Sequence, residues 1–243
     1  MILQKYKRQT TAIRQEDHAA FAGFLLEHWL DHGFPHHPNR QEIIRATHQH
    51  DNGWSLFDAK PRLDTKTKLP VDFQRVTPEE TVEIWNRGTE KFVETEPLVA
   101  LLITHHAYTL HEHIHRRTGV WKDFFIGLAK RRGALRDLLG LQHHDIERLY
   151  SYLRMADLFS LQFCMNATLG AAHPERYAGY VYRRDGNQFQ FRPFPFTSRQ
   201  LSYQLPTYPL DRAGYDDVKK LQAAMKKPVM QEITITPLER WDE

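Results

Sequence analysis

Asp157 lies in the run SYLRMADLFSLQFC, residues 151–164, crowded by leucine, methionine and phenylalanine. At helical spacing it shares a stripe with Ile146, Leu149, Leu153, Ser160 and Cys164. A carboxylate turned into a packed core is costly unless a cation, a metal or hydrogen-bond donors meet it. The fold must therefore carry such partners to this helix, and that requirement constrains the chain more than its composition does.

Two other segments supply partners. Residues 16–30, EDHAAFAGFLLEHWL, read as a helix whose buried stripe of Phe21, Phe24, Leu25 and Trp29 is continued by His18 through Ala22. A second helix, about 40–51, sets Ile43, Ile44, Thr47, His50 and Asp51 on one face, so His50 and Asp51 point where the isoleucines point. Asn52-Gly53 then ends it. Three helices each turn ionisable groups inward, and two imidazoles with two carboxylates form a nitrogen and oxygen set suited to manganese, iron, cobalt or magnesium. A His-Asp pair alone carries no weight, because chance supplies about one in a chain with 15 histidines. The second pair, His144-Asp145, starts a helix, where the dipole accounts for the aspartate.

The fourth helix, about 97–116, is apolar nearly all round before it becomes rich in histidine: PLVALLITHHAYTLHEHIHR. Adjacent residues point about 100° apart, so one of His105 and His106 can face a given site, and His106 shares its side with Leu102, Thr109 and Leu110. His113 and His115 fall past the apolar stretch and read as surface residues, His36 and His37 as solvated loop. Trp29, Trp54, Trp85 and Trp121 read as core, and Ser160 as helix packing.

The remaining elements are an irregular connection over 58–76, of the kind that covers a site or simply crosses the surface, and a helix capped by Thr77, Pro78 and Glu80. Helices follow at about 120–131 and 144–169. Past residue 175, GYVYRRDGNQFQFRPF predicts a hairpin around Asp185-Gly186, QEITITP a strand, and YDDVKKLQAAMKK an exposed amphipathic helix. The expected architecture is mainly α, a helical bundle core over 1–175 followed by a small β-rich (α+β) appendage over 176–243.

No apolar run reaches the roughly 18–20 residues of a membrane span, and the opening MILQKYKRQT lacks the apolar stretch of a signal peptide. One cysteine, Cys164, allows neither an internal disulfide nor an all-cysteine metal site. The net charge of +3 is scattered, and a nucleic-acid groove would need a broader basic stripe. The expectation is a cytoplasmic protein acting on a small molecule, without nucleic acid or membrane as partner; the oligomeric state is left open.

The order His18, His50-Asp51, Asp157 over successive helices resembles the HD-domain superfamily of metal-dependent phosphohydrolases. The strings QEDHAAFAGFLLEHW, HQHDNGW, LLITHHAYTL, MADLFSL and RPFPF are closer still to a bacterial branch of HD-like proteins. That resemblance implies an HD-like bundle with His18, His50, Asp51 and Asp157 as ligands of a divalent metal. It implies hydrolysis of a phosphate ester or nucleotide-like substrate through a metal-bound water. Asp51 and His106 would be catalytic, His106 would also serve a second metal, and His105 and Arg116 would touch the phosphorylated substrate. No nucleotide-reading motif accompanies the ligands. Two alternatives stay open: a di-iron oxygenase of the same type, and a non-catalytic binding protein that keeps the fold.

Overall fold

The computed structural model describes residues 1–6, 9–115, 117–165 and 175–239. The chain opens with strands β1 (Ile2–Tyr6) and β2 (Gln9–Ile13). Helices α1 (Gln15–Glu27), α2 (Arg40–Gln49) and the short α3 (Ser55–Ala59) follow. Then come α4 (Pro78–Glu90), α5 (Pro97–His111), α6 (Val120–Leu139) and α7 (His143–Met165). The last part holds β3 (Glu175–Tyr177), β4 (Tyr180–Asp185), β5 (Gln188–Arg192), β6 (Leu201–Leu210), α8 (Val218–Ala224) and β7 (Val229–Pro237). No helix among the described residues is long and apolar enough to cross a membrane.

The mainly α expectation, with a small β appendage, is wrong. One mixed seven-stranded sheet, ordered β1-β2-β6-β7-β5-β4-β3, makes the protein α+β, not all-α. β1 and β2 pair antiparallel, and β2 pairs in turn with β6, Thr10 opposite Leu210 and Ala12 opposite Tyr208. Over Leu201–Thr207 the same long strand pairs with β7, which runs parallel to β5 on its other side. The hairpin read at Asp185-Gly186 is present as β4–β5, with Asp185 opposite Gln188.

The sheet and the helices share one aromatic core. Alternation in β4 and β5 turns Tyr180, Tyr182, Phe189 and Phe191 to one face, where they meet Phe159 and Phe163 of α7. Phe21 of α1 packs on Phe163 and on Tyr203 of β6. On the other face, at the β2–β6 part of the sheet, the exposed amphipathic helix expected there is present as α8, whose apolar stripe of Leu221, continued by Met225, is buried against Met1, Ala12, Tyr208 and Leu210. Among the helices, α5 is buried from Leu98 through Ala107 because it is apolar all round, and α2, α4, α6 and α7 surround it. The Thr77–Glu80 capping box starts α4 as the sequence indicates. α6 runs past the expected end at about 131, since Leu135 anchors a further turn and Gly140, at φ 64°, closes the helix. The expected end of the α7 helix at 169 lies outside the described residues.

Where α7 ends, its last carbonyls are met by side chains from both ends of the sheet. Gln4 of β1 donates to the Cys164 and Phe163 carbonyls at 2.9 and 3.3 Å. Arg184 of β4 donates to the Phe163 carbonyl and, at 2.7 Å, to that of Gly186, with its guanidinium over the Phe163 ring. A cation suits the negative end of a helix. Arg184→Met should therefore lower stability by about 1.5–3 kcal/mol, since the buried Phe163 carbonyl loses its charged donor. Denaturant unfolding of the variant checks this, and a change under about 0.5 kcal/mol, the size of ordinary surface effects, would show that the cap is dispensable.

Candidate metal centre

Four helices bring the ionisable groups together: His18 from α1, His50 and Asp51 from the end of α2, His106 from α5 and Asp157 from α7. The first turn of α1 is held by buried Asp58 of α3, which accepts the Gln15 N–H at 2.6 Å and pairs with the Met1 amine at 3.0 Å. His50 is the last residue with helical dihedrals, and Asp51, at φ −101° and ψ 17°, leaves the helix in the bridge region where site residues often lie. The turn after it is locked onto α4: Asn52 donates to the Gly88 carbonyl at 3.1 Å and Arg87 to the Gly53 carbonyl at 3.1 Å. Two glycines allow that approach, for a Cβ on Gly53 would lie 2.1 Å from the Ile84 oxygen and one on Gly88 3.2 Å from the Gly53 nitrogen.

His18 Nε2 lies 3.1 Å from Asp157 Oδ1 and 3.5 Å from Asp51 Oδ2. His50 Nε2 lies 3.2 and 3.4 Å from the same two oxygens. His106 Nε2 approaches Asp157 Oδ2 at 3.9 Å. The three rings stand nearly edge-on to one another, His50 5.2 Å from His18 and 5.0 Å from His106 between centroids. Ligands about 2.0–2.2 Å from a first-row ion sit about 3–3.5 Å apart, so these separations suit shared coordination. The candidate ligand atoms of His18, His50 and Asp157 all lie within 4.8 Å of one another.

The far side of each ring decides which nitrogen carries its hydrogen. His50 Nδ1 is 2.7 Å from the Thr47 carbonyl, which can only accept, so Nδ1 holds the proton and Nε2 is bare. Ser160 Oγ lies 2.9 Å from the Asp157 carbonyl and 2.9 Å from His18 Nδ1; it donates to the first and accepts from the second. Thr109 Oγ1 donates to the Tyr150 hydroxyl at 2.9 Å, and that hydroxyl is hydrogen-bonded to His106 Nδ1 at 3.0 Å. The Nε2 lone pairs of His18 and His50 thus face carboxylate oxygens, and His50 Nε2, though at ion-pair distance, is buried without a hydrogen-bond partner. Lone pair against carboxylate is repulsive unless a proton or a metal cation stands between them. The donor set therefore fits a divalent cation.

In the ion-free centre a proton takes that place. Burial pushes the His50 pKa down, but the Asp51 and Asp157 carboxylates outweigh it and hold the value well above the ordinary 6.5. Burial likewise pushes Asp157 up, and His50 with His18 outweighs it, so Asp157 stays ionised well below the usual carboxylate range. His106 goes the other way: burial, helped by His50, drops it to about 4 despite Asp157, and its ring is neutral at physiological pH.

A cleft of ≈ 530 Å³ opens onto His18, Asp51, His106 and Asp157. Phe73, Gln74 and Val76, from the long irregular connection, form part of its wall. So do Trp54, Trp85 and Trp121, which the sequence places as core; their tryptophan character gave no signal of a cleft. His113 is exposed at the mouth. His105 faces away from the centre: its Nε2 meets Glu147 Oε1 at 3.0 Å, its ring packs on Tyr150, and burial, aided by Arg132 and His143, lowers its pKa to about 3. Arg116 lies outside the described residues. Tyr150 and Thr109, which orient His106, escaped the sequence reading, and Ser160, read as packing, proves to hold His18.

A family model described as Protein of unknown function (DUF3891) matches residues 1–212. The chain belongs to the DUF3891 family. No curated protein and no solved structure matches it. The family description carries no activity, and none of the comparisons points to the HD-domain superfamily. For this DUF3891 member the centre must be read from its own chemistry.

Two outcomes follow from the geometry. Gly53→Ala, whose new methyl collides with backbone, should cost about 1–3 kcal/mol and weaken metal binding by displacing Asp51; calorimetric melts and metal titration measure both. For pH, His50 in the ion-free protein has a raised folded pKa, so its contribution is complete below about pH 6.5 and lost as pH rises through the raised value. Asp157 has a depressed pKa, so its contribution is complete above about pH 4 and lost as pH falls. The ion-free protein should melt at lower temperature as pH rises above about 6.5, whereas metal affinity should increase because the His50 proton no longer competes. Melting curves of chelated and manganese-loaded protein across about pH 6–9 test this, and parallel curves would contradict it.

Proposed function

We propose that this protein is a metal-dependent hydrolase of a phosphate ester, with one divalent ion held by His18, His50, Asp51 and Asp157. One observation carries the reading: the buried His50 Nε2 has no hydrogen-bond partner, while its lone pair points at two carboxylates. Such an ion, when bound, acidifies water and polarises a phosphoryl oxygen. The protein groups divide the remaining work. Thr47 and Ser160 fix the tautomers of His50 and His18, which leaves both Nε2 atoms free to ligate. Asp51 borders the cleft and orients the attacking water there. His106, neutral, faces the same cleft and can exchange a proton or a hydrogen bond with substrate through Nε2. Five protein groups about a single centre favour one ion over two.

Purified protein should contain one manganese, iron, cobalt or magnesium per chain and hydrolyse bis(4-nitrophenyl) phosphate. Activity should vanish with chelator and return with manganese or cobalt. His50→Ala and Asp157→Ala should each lose the metal and destabilise the fold by about 3–5 kcal/mol by stranding the remaining buried charges. Two metal-replete, normally stable variants would remove the site assignment. Two irons with a charge-transfer band would indicate oxygenase chemistry, and a metal-free native protein would indicate a binding role.

A further inference from the structure

The cleft beside the metal centre has an uneven lining. Its wall carries a chain of ring contacts leading inward from the mouth: Trp121 to His111 at 5.5 Å, His111 to Trp85 at 5.7 Å, and Trp85 to His106 at 5.6 Å between centroids. Trp54, Phe73 and Ile114 add apolar surface. Burial lowers the pKa of His111, so that ring adds no charge at neutral pH. Among the described residues lining the cleft there is no lysine or arginine. Several described cations around it are engaged elsewhere: Arg75 pairs with Asp64 at 2.7 Å, Arg117 lies over Phe125 at 3.9 Å, Arg132 over Tyr108 at 4.3 Å, and Arg131 is bonded to Thr89 and Glu90. Among the described lining residues the carboxylates of Asp51 and Asp157 carry the full charges at the floor, and one divalent ion, displacing the His50 proton, would just neutralise them.

We infer that the cleft selects esters that carry an uncharged aromatic ring and no more than one negative charge, and that it rejects nucleoside polyphosphates. The ring lies along the Trp121–His111–Trp85 wall, and the ester reaches the carboxylates at its inner end. A volume of ≈ 530 Å³ falls in the range of small-molecule sites and accommodates such a ligand. A triphosphate brings about four negative charges into a low-dielectric cleft whose described lining offers no cation to meet them, and desolvating those charges opposes binding. The inference rests on the hydrolase reading for the word ester, but the ring subsite is a property of the protein wall and is measurable without turnover.

The test uses 2-naphthol as an uncharged probe of the full-length protein, followed by tryptophan fluorescence and calorimetry, with and without manganese. Naphthol should bind in both states with affinities within about twofold, and Trp121→Leu should weaken it about tenfold, the size of one lost aromatic stack, while metal content stays unchanged. Adenosine triphosphate at equal concentration should not displace it. Leu110→Arg, at a mouth position 44% exposed and hence safe for folding, should create measurable triphosphate binding. The inference falls if naphthol fails to bind, if Trp121→Leu leaves its affinity unchanged in a folded protein, or if triphosphate displaces it from the unaltered chain. Loss of the metal assignment alone, with naphthol still bound, would overturn the hydrolase reading and leave the ring subsite standing.

Discussion

Two carboxylates, Asp51 and Asp157, are held inside the protein against histidine nitrogens that carry no hydrogen on the side facing them. Such an arrangement repels itself unless something positive lies between its halves, and the surrounding structure maintains it. Thr47, Ser160 and Tyr150 each grip the far nitrogen of one ring, so that no ring can turn over to relieve the contact. Hydrogen-bonded outer groups of this kind set the tautomer and direction of metal-binding histidines in general. Because the grips come from α2, α7 and, through Thr109, α5, the centre depends on the packing of the whole helical layer and not on one loop.

That dependence explains the close contacts around it. The turn carrying Asp51 can approach α4 only because Gly53 and Gly88 have no side chains. The start of α1 is capped by an aspartate from α3, a helix more than 40 residues further along the chain, as the Gln15–Asp58 bond spans 43 positions. The centre is also one-sided. His50 lies behind it, whereas His18, Asp51, His106 and Asp157 border the cleft. A ligand would meet the acidic side of the centre first, with the histidine at its back acting through the ion or proton it holds.

The inward turn of His18, His50, Asp51 and Asp157 was legible because each interrupts an apolar helical stripe, and an ionisable group at such a position needs a partner. The separation of His106 from His105 was also readable, from the 100° step and the Leu102–Leu110 side. The sheet was not. In β1 the inward position after Ile2 is Gln4, which breaks the apolar alternation because its amide is needed by the α7 carbonyls. In β6, Pro206 and Pro209 argue against an interior strand, yet the strand changes partner between Thr207 and Tyr208 and takes both prolines in its stride. The cleft was hidden for another reason: tryptophans that line a cavity and tryptophans that fill a core have the same sequence signature.

The pairing of β2 with β6 joins residues about two hundred positions apart, Thr10 with Leu210. A chain emerging from a ribosome carries this β1–β2 hairpin without its partner until β6 has been made. The helices, whose contacts are nearer in sequence, can assemble before it, while the hairpin keeps an unsatisfied edge until then. Long-range strand pairing slows folding and leaves edges open to wrong partners. The short length of the hairpin and its polar run of Gln4, Lys5, Gln9, Thr10 and Thr11 limit that hazard, since a short, hydrophilic edge templates other chains poorly. The buried Gln4 and Arg184, 180 positions apart, likewise clasp the end of α7 together only when both strands that carry them are in place.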